Sequence, residues 1–514
     1  MLTMRGCRIR IAIHGLVLLV TLVSVGGTLG RTAADDISLV FDPARFTVKS
    51  ATVDGQEIAF RAYEGMVYVA RPVDPTYQSM NIYVPTAYFE GKTVGGRDEK
   101  TAPIFLPNAV GGYMPARPGG VGPGQGGGNA SRVALSKGYV VAAPGARGRT
   151  IRDASGKFTG KAPAAIVDLK AAVRYLKFND ARMPGDARKI VSNGTSAGGA
   201  LSALLGASGN HTDFEPALKA IGAAVASDDI FAVSAYCPIT NLEHADMAYE
   251  WQFNGVNEFS RGRGGPGGPG RAGGPGDAAA PGRAGGTGGQ ASGTMTDEQI
   301  RLSALLKADF PAYVNGLGLT RPDGAALTLD ATGNGTFKDY VKSYVMASAQ
   351  TALAGGQDLS ALPWLTISSG KVTGLDFDRY VRFAMRMKVT PAFDSLELAS
   401  PENDLFGNET TAALHFTRFG QEHSAARAPL ADPGPIRQMN AMSYIGAPGA
   451  TTSTHWRIRH GSVDRDTSLA IPVILATTLA NSGKAVDFAV PWGVGHGGNY
   501  DLDELFAWVA RVCR

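Results

Sequence analysis

The chain has 514 residues, 44% of them hydrophobic and 18% charged. That balance supports a globular protein with a sizeable core, either about three domains or one large elaborated one. The formal net charge of +4 is small for this length. Without Lys and Arg clustered on a strongly basic domain, a nucleic-acid partner is excluded.

The N-terminus reads as an export signal. Arg5, Arg8 and Arg10 precede the apolar run "GLVLLVTLVSVGG" from Gly15 to Gly27, and small residues and "RTAADD" follow. This is a charged region, an apolar region and a cleavage zone, so residues 1–34 are expected to be a signal peptide. The rival is an uncleaved anchor, but the run falls short of the roughly 20 apolar residues a span needs. No later stretch is long and apolar enough to span. The expected destination is the periplasm or the cell exterior, with no membrane association after cleavage. Cys7 lies within the signal. Cys237 and Cys513 remain; two cysteines make no disulfide framework, and the expectation is that they do not pair.

Residues 37–69 alternate apolar and polar side chains and read as a β-meander. "SMNIYVPTAYF" and "APIFLPNAVGGY" read as further strands, and "PARPGGVGPGQGGGN" as a glycine-rich loop. "GYVVAAPGARGR" resembles a buried parallel strand, and "APAAIVDLKAAVRYLKFN" carries apolar residues at helical spacing. "ARKIVSNGTSAGGALSALLGAS" then runs strand, tight turn, helix. Alternating strands and helices predict βαβ units on a parallel sheet.

Gly194-Thr195-Ser196-Ala197-Gly198 fits the nucleophile-elbow pattern G-x-S-x-G. The bare pattern is weak in so glycine-rich a chain. Its position between a strand and a helix is what an elbow requires. The rival reading is a serine in an ordinary turn.

From about Thr240 to Arg437 the chain carries helical stretches that read as a lid over the active site. Within it, residues 260–293 are a Gly/Pro/Arg-rich low-complexity segment, expected to be a disordered loop. The sheet then resumes. "HWRIRHGSVDRDTS" is a strand and polar loop, "IPVILATTLANSGK" a helix, "AVDFAVPWGVGHGGNYD" a strand and loop, and "LDELFAWVARVC" a closing helix. The predicted architecture is α/β: an α/β-hydrolase core of mostly parallel sheet flanked by helices, with a large inserted lid. The core occupies 35–239 and 438–514, and the lid 240–437.

Such a core catalyses acyl transfer with Ser, acid and His in that chain order. His496 sits on the loop after the last strand, where the base belongs; the other histidines lack such a placement. Asp464 and Asp466 share the loop after the preceding strand. Their i, i+2 spacing lets one face the histidine, and spacing alone does not choose between them. One oxyanion donor is the N–H of Ala197. The second belongs to the loop after an early strand, where Gly111 and Gly112 permit close backbone approach. No metal or organic cofactor is needed.

On longer blocks the chain resembles the bacterial tannases, secreted tannin acyl hydrolases of the α/β-hydrolase class. The matching stretches include "TAPIFLPNAVGGYMP", "NGTSAGGALSAL", "DDIFAVSAYCPITNLEHADMAYEWQFNG", "MKVTPAFDSLELASPENDLFG" and "HWRIRHGSVDRDTSLAIPVILA". The resemblance implies a triad of Ser196, Asp464 and His496. It implies that Lys388, Glu402 and Asp466 bind the three galloyl hydroxyls. Gly112 contacts the ester carbonyl, and Ile239 and Pro401 sandwich the ring. The implied partner is a small-molecule galloyl ester; no oligomeric state follows. Residues 260–293 depart from the family pattern, and Thr195 and Gly497 stand where the fungal group has paired cysteines. From spacing alone, Lys388 and Glu402 would read as a lid salt bridge. The rival functions are a broader feruloyl or carboxylesterase and a hydrolase-like binding protein without turnover. A propeller-bearing peptidase lacks room before Ser196.

Overall fold

The hairpin that opens the sheet shows how local sequence sets the architecture. β1 (Thr47–Val53) and β2 (Gln56–Val67) pair antiparallel across a two-residue turn. Both turn residues, Asp54 and Gly55, have positive φ (49° and 79°), the Asp-Gly turn whose twist matches the strands it joins. β3 (Ser79–Pro85) extends this antiparallel edge. The remaining strands are β4 (Pro103–Asn108), β5 (Val140–Pro144), β6 (Asp186–Thr195), β7 (Ala232–Tyr236), β8 (His455–Arg459) and β9 (Ala485–Ala489). Together they form one nine-stranded sheet, in the order β1-β2-β3-β5-β4-β6-β7-β8-β9. From β5 to β9 neighbours run parallel.

The computed structural model describes residues 36–122, 128–260 and 292–514. The expected signal at 1–34 and positions 261–291 of the expected loop lie outside them. Residues 37–514 form one compact unit. Every residue of β4 and β5 is buried, as strands covered on both faces require. Helices α1 (Gly128–Ser136), α2 (Ala164–Phe178) and α3 (Ala197–Ala207) accompany the first half of the sheet. Along β4, Ile104 and Leu106 join the core that includes α2 and α3, while Phe105 joins the one containing Ala130, Ala134 and the C-terminal helix. Helices thus cover both faces.

Between 237 and 454 the described residues add no strand to this sheet. They contain α4 (Leu242–Phe253), α5 (Asp297–Gly316), α6 (Thr336–Ala354) and α7 (Phe377–Ala384). α5 starts at a capping box between Thr296 and Gln299, which satisfies two otherwise unpaired backbone donors. Trp251 gathers Phe310, Phe337 and Phe377 from the other three helices around its ring. The chain then returns through β8, α8 (Ala470–Asn481), β9 and α9 (Leu502–Val512), the ending read from the sequence. Among the described residues, no helix is long and apolar enough to cross a membrane. Cys237 and Cys513 are both buried and unpaired.

Candidate active site

Ser196 is the single residue between β6 and α3. Its φ of 60° and ψ of −124° form a sharp turn of a kind that costs on the order of 1–3 kcal/mol and persists only where surroundings enforce it. They do so here. A Cβ at Gly194 would lie 2.2 Å from the Gly198 carbonyl oxygen, and one at Gly198 would meet the Val110 and Asn108 oxygens at 2.7 and 2.9 Å. Only glycine lets strand, helix and the loop after β4 close around the serine. Ser196 N–H donates to the Tyr236 carbonyl at 3.0 Å, tying the turn to β7. The Ala197 N–H, in the first turn of α3, belongs to the donors a helix leaves without intrahelical partners.

The loop after β4 is fastened to the same helix end. Asn108 Nδ2 donates to the Gly198 carbonyl at 3.1 Å, and Val110 N–H donates to Asn108 Oδ1 at 3.2 Å. Residues 111–114 form a turn closed by Met114 N–H to the Gly111 carbonyl, 3.0 Å. Gly112 and Tyr113 both have φ of 55°, the mirror-image turn that favours glycine. Gly112 is exposed, with open space around it.

His496 lies between β9 and α9. Its Nδ1 is 2.9 Å from Asp464 Oδ2. The two loops are packed tightly, since a Cβ at Gly461 would sit 2.0 Å from the Val494 carbonyl oxygen. Burial pushes the Asp464 carboxyl upward most strongly, but the His496 and His460 imidazoles outweigh it and hold it well below the ordinary range. Burial likewise favours neutral His496; Asp464, then Cys237 and Asp466, overcome that and raise the imidazole well above its ordinary value. The loop meets the elbow through Asn193 Nδ2, which donates to Asn499 Oδ1 at 2.9 Å. A Ser196–His496 hydrogen bond is not among the contacts of the described residues. Nε2 faces Cys237 Sγ and Asp466 Oδ1, each at 4.0 Å. Catalytic hydrogen bonds are often long before substrate binds.

The structure separates the two aspartates that spacing left equivalent. Asp464 takes the histidine; Asp466 accepts from Lys388 Nζ at 3.1 Å. Lys388 also lies over the Phe393 ring, 3.8 Å from its centre. Lys388 therefore forms its salt bridge with Asp466, not with Glu402 as spacing suggested. Glu402, 6% exposed in the first turn of the short helix Pro401–Leu405, accepts no hydrogen bond from another side chain among the described residues. Burial, then Asp466, raises its carboxyl against the opposing pull of Lys388. Burial pushes Lys388 down, yet Asp466 and Glu402 raise it; burial pushes Asp466 up, yet Lys388 and His496 lower it. Two carboxylates and an ammonium, all largely withdrawn from solvent, thus converge beside the imidazole. Ile239 is buried just after β7, and Pro401 is exposed at the start of its helix.

Three contributors escaped the sequence. Tyr249 Oη on α4 donates to the Arg465 carbonyl at 3.0 Å and accepts from the Met387 and Lys388 N–H groups at 3.1 Å. It thereby joins the segment carrying Lys388 to the loop carrying Asp466. Cys237 was considered only for a disulfide, yet its thiol donates to the Gly497 carbonyl at 3.4 Å beside the imidazole. His460 is 1% exposed, neither ring nitrogen has a hydrogen-bond partner among the described residues, and its Nδ1 is 3.7 Å from Asp464 Oδ2. Its place four residues before Asp464 was the available signal. Cys237, Asp464 and His496 offer ligand atoms within 4.8 Å of one another. However, Asp464 engages Nδ1 and Cys237 faces Nε2, so the two serve opposite edges of the ring rather than a common ion.

A strained serine between strand and helix, with a histidine–aspartate pair on the loops after the last two parallel strands, defines an α/β-hydrolase. The BD-FAE family model matches residues 126–259. Solved structures extend the likeness over nearly the whole chain. Tannase from Fusobacterium nucleatum is 50% identical, with 93% of this chain and 100% of that one covered and a TM-score of 0.85. Tannin acyl hydrolase from Lactobacillus plantarum is 47% identical, with 93% and 99% covered and the same TM-score. A tannin acyl hydrolase, also 47% identical over the same coverage, was solved in complex with ethyl gallate. A search of curated proteins found no match. The chain belongs to the tannase family of carboxylic ester hydrolases.

Proposed function

We propose that this protein hydrolyses galloyl esters, releasing gallate from hydrolysable tannins and simple gallate esters. The observation that carries the reading is the adjacency of the Asp464–His496 pair to the part-buried Lys388 and Asp466 and the buried Glu402. Gallate presents three adjacent phenolic hydroxyls. Asp466 and Glu402 accept from them, and Lys388 donates to an oxygen lone pair. Ile239 and Pro401 flank the ring. The ester carbonyl then lies at the elbow. His496 takes the proton from Ser196 as the hydroxyl oxygen attacks, and Asp464 holds the imidazole and stabilises its charged form. The Ala197 and Gly112 N–H groups receive the developing oxyanion. The alcohol departs with the proton from His496. Water, activated by the same imidazole, cleaves the galloyl-enzyme. Residues 1–34 are proposed to direct export, and the segment 240–437 to cover the site as a lid.

The test of the nucleophile is covalent labelling. A fluorophosphonate is expected to add one adduct at Ser196, seen by mass spectrometry of the peptide, and to abolish gallate release from methyl gallate. Labelling elsewhere with loss of activity, or full activity in Ser196→Ala, would remove Ser196 from the mechanism.

A further inference from the structure

Resting on the reading above, we propose that Arg149 is a positioning residue that fixes both ends of the galloyl site at once: the Gly112 turn at the ester carbonyl, and the Glu402 helix at the ring hydroxyls. Arg149 lies just after β5, on the strap 145–162. Its Nε donates to the Gly112 carbonyl at 2.9 Å, and its own backbone N–H donates to the Tyr113 carbonyl at 3.0 Å. Its Nη1 pairs with the carboxylate of Asp404, two residues beyond Glu402 on the helix Pro401–Leu405. The Arg149 side chain is 12% exposed, so this fork is largely shielded from solvent.

The rest of the strap repeats the same two-sided pattern. Toward the turn, Ala146 and Ala116 exchange backbone hydrogen bonds at 2.9 and 3.0 Å. Toward the helix, Lys161 Nζ pairs with the Asp404 carboxylate and donates to the Asp404 and Ala412 carbonyls, both at 2.7 Å. Ala162 N–H donates to the Leu405 carbonyl at 3.0 Å. The strap has no slack. A Cβ at Gly148 would lie 2.2 Å from Pro115 N, and one at Gly160 would lie 1.9 Å from the Gly148 carbonyl oxygen.

A planar guanidinium suits this place because it donates along fixed directions to two acceptors, which a lysine ammonium does not reproduce. The turn it holds needs holding. Tyr113 is a non-glycine residue at φ 55°, and Gly112 has open space around it. Release of either anchor lets the oxyanion donor or the Glu402 carboxylate drift, and a displacement near 1 Å can cost about a hundredfold in rate.

The experiment compares two variants on two esters, methyl gallate and p-nitrophenyl acetate, with rates expressed per active site titrated. Arg149→Lys keeps the charge beside Asp404 and loses the fork to Gly112. It is expected to lower kcat on both esters by about ten- to a hundredfold, with KM for methyl gallate within about threefold of wild type. Asp404→Asn keeps the Gly112 contact and loosens the Glu402 helix. It is expected to raise KM for methyl gallate while p-nitrophenyl acetate turnover stays at wild type. A purely structural Arg149 would reduce the titre of sites and leave kcat per site unchanged, which would overturn the proposal. Should Arg149→Lys not fold, an unchanged KM in Asp404→Asn overturns it instead. The galloyl reading is judged separately, by wild-type turnover of methyl gallate itself.

Discussion

At the residue scale, the site turns on how charge is distributed around one imidazole. His496 is flanked by Asp464 at Nδ1 and Asp466 near Nε2, and both favour its protonated form. In the proposed mechanism His496 must be neutral to accept the serine proton, so the acidic limb of the rate profile is expected to report this group. Removing the Asp466 charge destabilises the imidazolium and lowers the His496 pKa. Asp466→Asn is therefore expected to move the acidic limb of kcat/KM for p-nitrophenyl acetate to lower pH. That ester has no ring hydroxyls to bind, so the shift is free of any effect on galloyl recognition. A limb that stays in place or moves upward would show that Asp466 does not act on the imidazole. The same pair marks where sequence reasoning stopped. Asp464 and Asp466 share a loop at i, i+2, and period and composition treat them alike. Their roles separate only because His496 and Lys388 approach from different parts of the chain. His460 was passed over because, unlike His496, it occupies no position that the hydrolase chain order assigns.

At the scale of elements, most of the framework was legible in the sequence. The elbow, the loop after β4 and the β–α–β–α ending all lie within short, strongly patterned segments, where local sequence and fold agree. The contacts that join elements were not legible. Tyr249 on α4 was an ordinary aromatic in a helical stretch, yet its hydroxyl spans two segments 77 positions apart, Lys388 and Arg465. Tyr249→Phe leaves the Met387 and Lys388 N–H groups without that acceptor. A buried unsatisfied donor costs about 1–3 kcal/mol. The variant is expected to unfold at lower denaturant, and kcat/KM for methyl gallate is expected to fall more than that for p-nitrophenyl acetate. Equal losses on the two esters would mean that Tyr249 supports the fold without placing Lys388.

At the scale of the whole molecule, the large insertion and the sheet make one compact unit, with α4 starting a short loop after the end of β7. A fully buried ion pair stands inside it. Glu250 on α4 pairs with Arg386 and also accepts from Ser303 at 2.5 Å and Thr390 at 2.7 Å. Breaking such a pair strands a buried charge, at about 3–5 kcal/mol. Glu250→Ala is expected to lose that much stability in equilibrium denaturation, and a loss below about 1 kcal/mol would contradict the arrangement. The sequence reading expects an insertion over 240–437 that covers the site as a lid. Sequence alone does not reveal the ion pair inside it, because Glu250 and Arg386 lie 136 positions apart and carry no shared period. The central claim concerns recognition of the galloyl ring, and one comparison tests it most directly: kcat/KM for methyl gallate against methyl benzoate and methyl ferulate, in wild type and Ser196→Ala. A site built to hydrogen-bond ring hydroxyls through the part-buried Lys388 and Asp466 and the buried Glu402 can reject the deoxy analogue by up to about 10⁴-fold. The expected result is a large preference for methyl gallate and no turnover in the variant. Comparable turnover of all three esters would contradict the galloyl assignment.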